Sequence, residues 1–112
     1  SVHSYRKIIS VFQPHRFSRV RLLKKEFATG FKLCDEVVLC PIYPAGEKIN
    51  KYFDYHSFGK LITKKSNVTV IILESENDLL NYFKKNLFDN ELVVCMGAGS
   101  ISSWIKSISK KL

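Results

Sequence analysis

The stretch KIISVFQPHRFSRVR, residues 7–21, decides the fold class because a strand pattern passes directly into a helix pattern. Residues 7–12 are mostly apolar and rich in β-branched side chains, as in a strand that is covered on both faces. Pro14 ends this strand because it has no backbone donor, and we expect a helix to begin near Arg19 with Ser18 as its N-cap. A strand that leads straight into a helix is typical of α/β domains.

The same alternation repeats along the rest of the chain. Further apolar runs predict strands at residues 36–40, 68–73 and 91–96. Ser75 or Asp78 is expected to cap the helix before the last strand. Helices are predicted from apolar spacing at Leu23, Phe27 and Phe31, more weakly at residues 55–63, at Leu79, Leu80 and Phe83, and at Ile101, Trp104, Ile105 and Ile108. We therefore predict an α/β, Rossmann-like three-layer domain with a mostly parallel sheet over residues 1–112.

Composition and charge narrow the class of protein. The chain has 112 residues, 46% hydrophobic and 25% charged, which is enough apolar material for one core. No apolar run is long enough to span a bilayer, so we expect no membrane association. The net charge of +8 favours anionic partners, namely phosphates, carboxylates or nucleic acid. Lysine pairs spread along the chain are more typical of a solvated surface, and no nucleic-acid motif accompanies them.

The cysteines indicate a reducing environment. Cys34, Cys40 and Cys95 fit no metal-binding or redox spacing, and an odd number without a pattern is typical of free thiols in a cytoplasmic protein. Cys40 and Cys95 lie in apolar runs and are predicted to be core residues. The chain does not begin with methionine, and we expect it to be part of a longer protein.

The loop after the first strand, residues 13–19, is the strongest candidate for a binding site. In open α/β sheets, ligands bind outside the carboxyl ends of the strands. Arg16 and Arg19 are three residues apart, so both can lie beside the free N–H groups of a helix start and bind a carboxylate or phosphate. The helix dipole disfavours cations there, which suggests a ligand. Alternatively, the arginines are simply exposed, and His15 is a turn histidine bonded to backbone rather than a group that orients the anion.

Two other loops are predicted at the same edge of the sheet. After the fourth strand come Gly97, Ala98, Gly99 and Ser100, whose backbone N–H groups could approach an oxyanion; a tight turn is the alternative. The YPAGE segment after the second strand carries Tyr43 and Glu47, and its spacing alone favours a solvated loop acid at Glu47. The chain has neither a G-x-x-x-x-G-K-[ST] loop for ATP nor an evident carboxylate pair for Mg²⁺, so it resembles one wall of a site.

The segments VFQPHRFSRVRLLKKEF, IYPAGE and GAGSI resemble the C-terminal domain of the bacterial Mur ligases, in order and spacing, over about residues 9–108. Within this family the resemblance is to the members that join L-alanine to UDP-N-acetylmuramate in peptidoglycan synthesis. It implies a cytoplasmic, three-domain enzyme of cell-wall biogenesis. An N-terminal domain would hold the UDP sugar and a central domain would hold ATP and Mg²⁺. This C-terminal domain would contact both, hold no metal itself and be inactive alone.

The resemblance also implies roles for individual residues. It places Arg16, Arg19 and His15 at the catalytic centre, where they bind the carboxylate of L-alanine and balance charge near the transferring phosphate. Residues 97–100 would line the same pocket, and Tyr43 and Glu47 match a family motif without an assigned role. The competing hypothesis is a stand-alone Rossmann-like module that binds a phosphorylated small molecule or nucleic acid.

Overall fold

The computed structural model describes residues 7–87, 91–97 and 100–111, and in these ranges four strands alternate with four helices. The strands are β1 (Lys7–Gln13), β2 (Glu36–Leu39), β3 (Thr69–Ile72) and β4 (Glu91–Gly97), and the helices are α1 (Phe17–Thr29), α2 (Tyr55–Ser66), α3 (Glu76–Asn86) and α4 (Ser100–Ser109). The strand order is β3-β2-β1-β4, and every pair is parallel. The predicted α/β, Rossmann-like arrangement is confirmed.

Apolar side chains cover the sheet on both faces. Along β1 and β2, successive residues alternate between two cores, as the pleat of a strand requires. Phe12 and Leu39 pack into the core that α1 and α2 cover, whereas Ile9, Val11 and Val38 pack into the core under α3 and α4. Burial on both faces explains why these strands are almost continuously apolar in the sequence.

Helix α1 begins earlier than the sequence indicates, so the prediction of Ser18 as its N-cap is wrong. The helix begins at Phe17, and Arg16 occupies the N-cap position without a side-chain capping hydrogen bond. The acceptor that caps this helix comes from a distant loop, which no local pattern could show. By contrast, Ser75 caps α3 as expected, accepting a hydrogen bond from the Asp78 amide at 3.2 Å.

The apolar stripe predicted for α1 coincides only in part with the face that the helix buries. Leu23 leaves the helical conformation (φ −113°, ψ 24°) and is 38% exposed. Phe31 is buried, but it lies beyond the end of the helix. Phe17, Val20 and Ala28 form the buried face instead.

The cysteines divide between core and surface. Cys40 is fully buried as predicted, but Cys95 is exposed, so its prediction as a core residue is wrong. The reason is its position, since β4 is an edge strand whose carboxyl half is exposed. None of the helices within the described ranges is long and apolar enough to cross a bilayer.

Candidate functional site

The strand order creates a crevice between the carboxyl ends of β1 and β4. The chain runs from β1 outward to β2 and β3, then returns to pair β4 with the other side of β1. At such a reversal the connections leave on opposite faces of the sheet, and ligands of open α/β folds bind there. The two strands pair from Lys7 with Glu91 to Gln13 with Gly97, so they end at the same level.

A pocket of about 460 Å³ opens at this crevice. Phenylalanine and methionine side chains supply its apolar surface, and a histidine, an arginine and a glutamate supply its ionisable groups. The lining residues are Phe12, Gln13, His15, Arg19, Glu26, Phe27, Gly30, Phe31, Met96 and Gly97. Of the residues predicted for the site, His15, Arg19 and Gly97 are therefore brought together around one pocket.

The loop after β1 is held against the loop after β2 by a short parallel bridge. The Tyr43 amide donates a hydrogen bond to the Pro14 carbonyl at 2.9 Å, and the Arg16 amide donates to the Tyr43 carbonyl at 2.7 Å. The rings of His15 and Tyr43 lie in contact, with their centroids 5.9 Å apart. The bridge thus unites two of the loops that the sequence singles out, and it fixes His15 beside Tyr43.

Glu47 closes the N-terminus of α1. Its Oε1 atom accepts hydrogen bonds from the Phe17 amide at 2.7 Å and the Ser18 amide at 3.4 Å, and Oε2 accepts one from the Ser18 hydroxyl. The Ser18 hydroxyl is the main reason that the pKa of the Glu47 carboxyl lies below its usual value, and the two amides and the charge of Arg16 act in the same direction.

This arrangement changes the interpretation of the helix start. Glu47 is half-buried and caps the helix, so the expectation of a solvated loop acid is wrong. The amides of Phe17 and Ser18, at the start of the helix as the structure has it, already bind this carboxylate. An anion at this loop is therefore left with the arginine side chains as its main donors.

The two arginines occupy different places at the start of α1. Arg16 has a φ of 68°, which residues other than glycine rarely adopt. Its own amide is held by Tyr43 and the following amide by Glu47, so the surrounding bonds impose this strained conformation. Both side chains are exposed, but Arg19 lines the pocket, whereas Arg16 acts electrostatically on Glu47.

The glycine-rich segment after β4 is described only at its two ends. Ala98 and Gly99, two of the predicted substrate-binding residues, lie outside the described residues. Gly97 has a φ of 127°, and a Cβ atom built there would lie 2.2 Å from the carbonyl oxygen of Gln13. Only glycine fits this close approach of β4 to β1.

Gln13 is a component of the site region that the sequence analysis missed. The residue is 2% exposed, and its Oε1 atom accepts a hydrogen bond from the Ile101 amide at 2.9 Å. Its Nε2 atom donates to the Ser100 hydroxyl at 2.7 Å and to the Pro41 carbonyl at 3.1 Å. Gln13 therefore joins the end of β1 to the start of α4 and to the segment after β2. The sequence contained one signal for this role, namely a side-chain amide at the end of an apolar strand and directly before a proline.

A metal-binding cluster and a phosphate-binding loop are both missing from the described ranges of the chain. In these ranges no three His, Cys, Asp or Glu side chains are grouped so that they could hold a metal ion. The sequence also lacks a phosphate-binding loop of the G-x-x-x-x-G-K-[ST] type. The pocket offers aromatic surface together with the side chains of His15, Arg19 and Glu26, and the guanidinium group of Arg19 is its donor for a small anionic ligand.

Comparison with curated proteins finds relatives that share one name. The chain is 47% identical over 102 residues to the UDP-N-acetylmuramate–L-alanine ligase of Pelagibacter ubique. It is 35% identical over 106 and 107 residues to the ligases of that name from Bradyrhizobium sp. (strain BTAi1) and Rhodospirillum rubrum. These alignments cover 91%, 95% and 96% of this chain but 22%, 23% and 22% of the relatives, so the chain spans about a fifth of their length. No family model matches the chain.

Proposed function

Because this chain matches a fragment of the UDP-N-acetylmuramate–L-alanine ligases, we propose that it is the amino-acid-binding domain of such an enzyme. The parent protein joins L-alanine to UDP-N-acetylmuramate in the cytoplasm, as a step of peptidoglycan synthesis. ATP and Mg²⁺ bind mainly to a domain outside this chain, and the N-terminal and central domains of the parent meet the pocket described above. The relatives do not favour the alternative of a stand-alone module for a phosphorylated small molecule or nucleic acid.

The observation that carries this proposal is the position of His15 and Arg19 at a pocket between the ends of β1 and β4. A guanidinium group can bind both oxygens of a carboxylate, which fixes the orientation of an amino acid as well as its position. Held in this way by Arg19, L-alanine would keep its amine free to attack the carbonyl carbon of the muramyl acyl phosphate, so that the amide bond forms as phosphate leaves. His15, fixed by its contact with Tyr43, would orient the same carboxylate.

Arg16 and the segment after β4 complete the proposed site. Arg16 is exposed beside the helix start, where it would balance the negative charge that gathers when the substrates meet. Residues 97–100, of which Gly97 lines the pocket, would supply backbone N–H groups to the same ligand. Since this chain supplies one wall only, we expect it to be inactive alone, and its mixture with UDP-N-acetylmuramate, L-alanine, ATP and Mg²⁺ should release no ADP.

The experiment that tests the proposal is the Arg19→Ala substitution in the parent ligase, assayed by ADP release that depends on L-alanine. We expect the KM for L-alanine to rise about tenfold to a hundredfold, the usual loss for a charge-assisted hydrogen bond. Arg19→Lys should recover only part of this loss because an ammonium group cannot form the paired contact. Arg21→Ala is the matched control, since Arg21 is an exposed arginine of the same helix that does not line the pocket. An unchanged KM for Arg19→Ala would refute the assignment.

A further inference from the structure

The start of α1 is electrostatically unfavourable for the arginine side chains that lie there. Arg16, Arg19 and Arg21 lie at or near the positive end of the helix dipole, where cations are disfavoured. The first turn contains no acidic residue that would offset them. The negative charge comes instead from Glu47, which lies 30 residues further along the chain than Phe17, whose amide it binds.

A tight turn in the loop that carries Glu47 places its carboxylate at the start of α1. Ala45 and Gly46 both have positive φ values, 49° and 93°, and the Glu47 amide donates to the Pro44 carbonyl at 3.0 Å. Positive φ at both central residues of a four-residue turn is the pattern of a type I′ turn, which reverses the chain sharply. The turn follows Tyr43 directly, so the bridge at Tyr43 and the carboxylate of Glu47 hold the loop after β1 at two points.

These contacts fix the backbone on both sides of Arg16. The Arg16 amide is bound by the Tyr43 carbonyl at 2.7 Å, and the next amide, that of Phe17, by the Glu47 carboxylate at 2.7 Å. The strained φ of Arg16 sets the direction in which α1 starts, and Arg19 lies within the first turn of that helix. The orientation of both arginines therefore depends on a residue that does not itself line the pocket.

We infer that Glu47 is a positioning residue of the site, which holds the first turn of α1 so that Arg16 and Arg19 are oriented to receive the substrate carboxylate. The inference rests on the proposed function. Glu47 also occupies the helix amides that could otherwise bind that carboxylate in the wrong place. Its charge thus directs the substrate toward the guanidinium groups and away from the helix end.

The test compares Glu47→Gln in the parent ligase with substitutions that affect the caps of other helices, ones that carry no site residue. Glutamine keeps an acceptor for the helix amides but removes the charge, and we expect the KM for L-alanine to rise about tenfold, since small displacements of positioning groups have effects of at least this size. Glu47→Asp keeps the charge and should recover part of the loss. Ser18→Ala removes a single contact to the carboxylate and should give a smaller rise in KM, so it serves as a milder second variant.

The controls are Asp54→Ala and Ser75→Ala, which remove the side-chain caps of α2 and α3. They should lower the melting temperature, as the loss of a helix cap does, and leave the KM for L-alanine unchanged. If Glu47→Gln and Ser18→Ala also leave this KM unchanged while Arg19→Ala raises it, Glu47 is only a helix cap and the inference fails. If Arg19→Ala has no effect either, the proposed function fails and the inference fails with it.

Discussion

The Oε1 atom of Gln13 accepts a hydrogen bond from the backbone amide of Ile101 at 2.9 Å, across 88 positions of sequence. The first strand of the fold thereby provides the cap of the last helix. The same side chain also donates to Ser100 and to the carbonyl of Pro41, so one buried amide joins three segments at the edge of the candidate site.

The substitution Gln13→Ala is expected to destabilise the chain by about 2–4 kcal/mol, because it leaves several buried polar groups without their partner. Asn86→Ala, which removes a single hydrogen bond to the Tyr82 carbonyl, is the control and should cost about 1 kcal/mol. Urea unfolding followed by the fluorescence of Trp104, the single tryptophan, measures both values. Equal losses for the two variants would show that Gln13 is no more than an ordinary hydrogen-bonded side chain.

A series of glycine-to-alanine substitutions separates steric overlap from backbone strain. Gly97→Ala combines a positive φ with a Cβ atom 2.2 Å from a carbonyl oxygen, so a loss of about 3 kcal/mol or more is expected. Gly46→Ala meets a positive φ in open space, and strain alone should cost about 1–2 kcal/mol. Gly30 has a φ of −81° and only ordinary contacts, and its substitution should be nearly neutral. Thermal unfolding gives the order, and a neutral Gly97→Ala would contradict the close approach of β4 to β1.

The acid dependence of stability should be reduced by Glu47→Gln. The ordinary pKa of this carboxyl is 4.5 and the folded protein lowers it, chiefly through the Ser18 hydroxyl, so folding favours the ionised form. Its contribution is therefore fully present above pH 4.5 and disappears as the pH falls through the lowered folded value. Urea unfolding at a series of pH values from 7 downward should show a weaker loss of stability in the variant. The same pH dependence in both proteins would mean that the capping bonds do not persist in solution.

The three thiols should react in an order set by their burial. Cys40 is fully buried, and burial raises the pKa of its thiol to about 12, so its reactive thiolate is scarce at pH 8. Cys95 is exposed and should be alkylated first by iodoacetamide, with Cys34 between them. Peptide mass spectrometry after timed quenching gives the order, and all three should react at similar rates in concentrated urea. Early labelling of Cys40 in the folded chain would contradict its place in the core.

The fold was predictable because the central strands are buried on both faces and the helical stripes between them have a different period. Both signals are local, since each depends on residues within one element. Cys95 was misplaced because the run that contains it is as apolar as the central strands. Nothing in such a run shows that its strand will lie at the edge of the sheet, with its carboxyl half exposed.

The loops that form the candidate site could be identified from the sequence, whereas the contacts between those loops could not. The prediction that His15 and Arg19 lie at a binding pocket followed from the rule that ligands bind at the carboxyl ends of parallel strands. The cap that Glu47 supplies to α1 and the network around Gln13 join residues far apart in sequence, and no spacing pattern encodes such a pair. The early start of α1 was missed for the same reason.

Because β1 pairs with β4, the pocket between these strands can be completed only late in the synthesis of this chain. β1, β2 and β3 leave the ribosome before β4 does. Lys7 therefore cannot pair with Glu91 until β4 has been synthesised. Closing so long a loop costs chain entropy before the pairing returns any stability, which makes it a slow step of folding. A nascent chain that ends before β4 would already carry both arginines but would lack the side of the pocket that β4 provides, so ligand binding would report that β1 and β4 have paired.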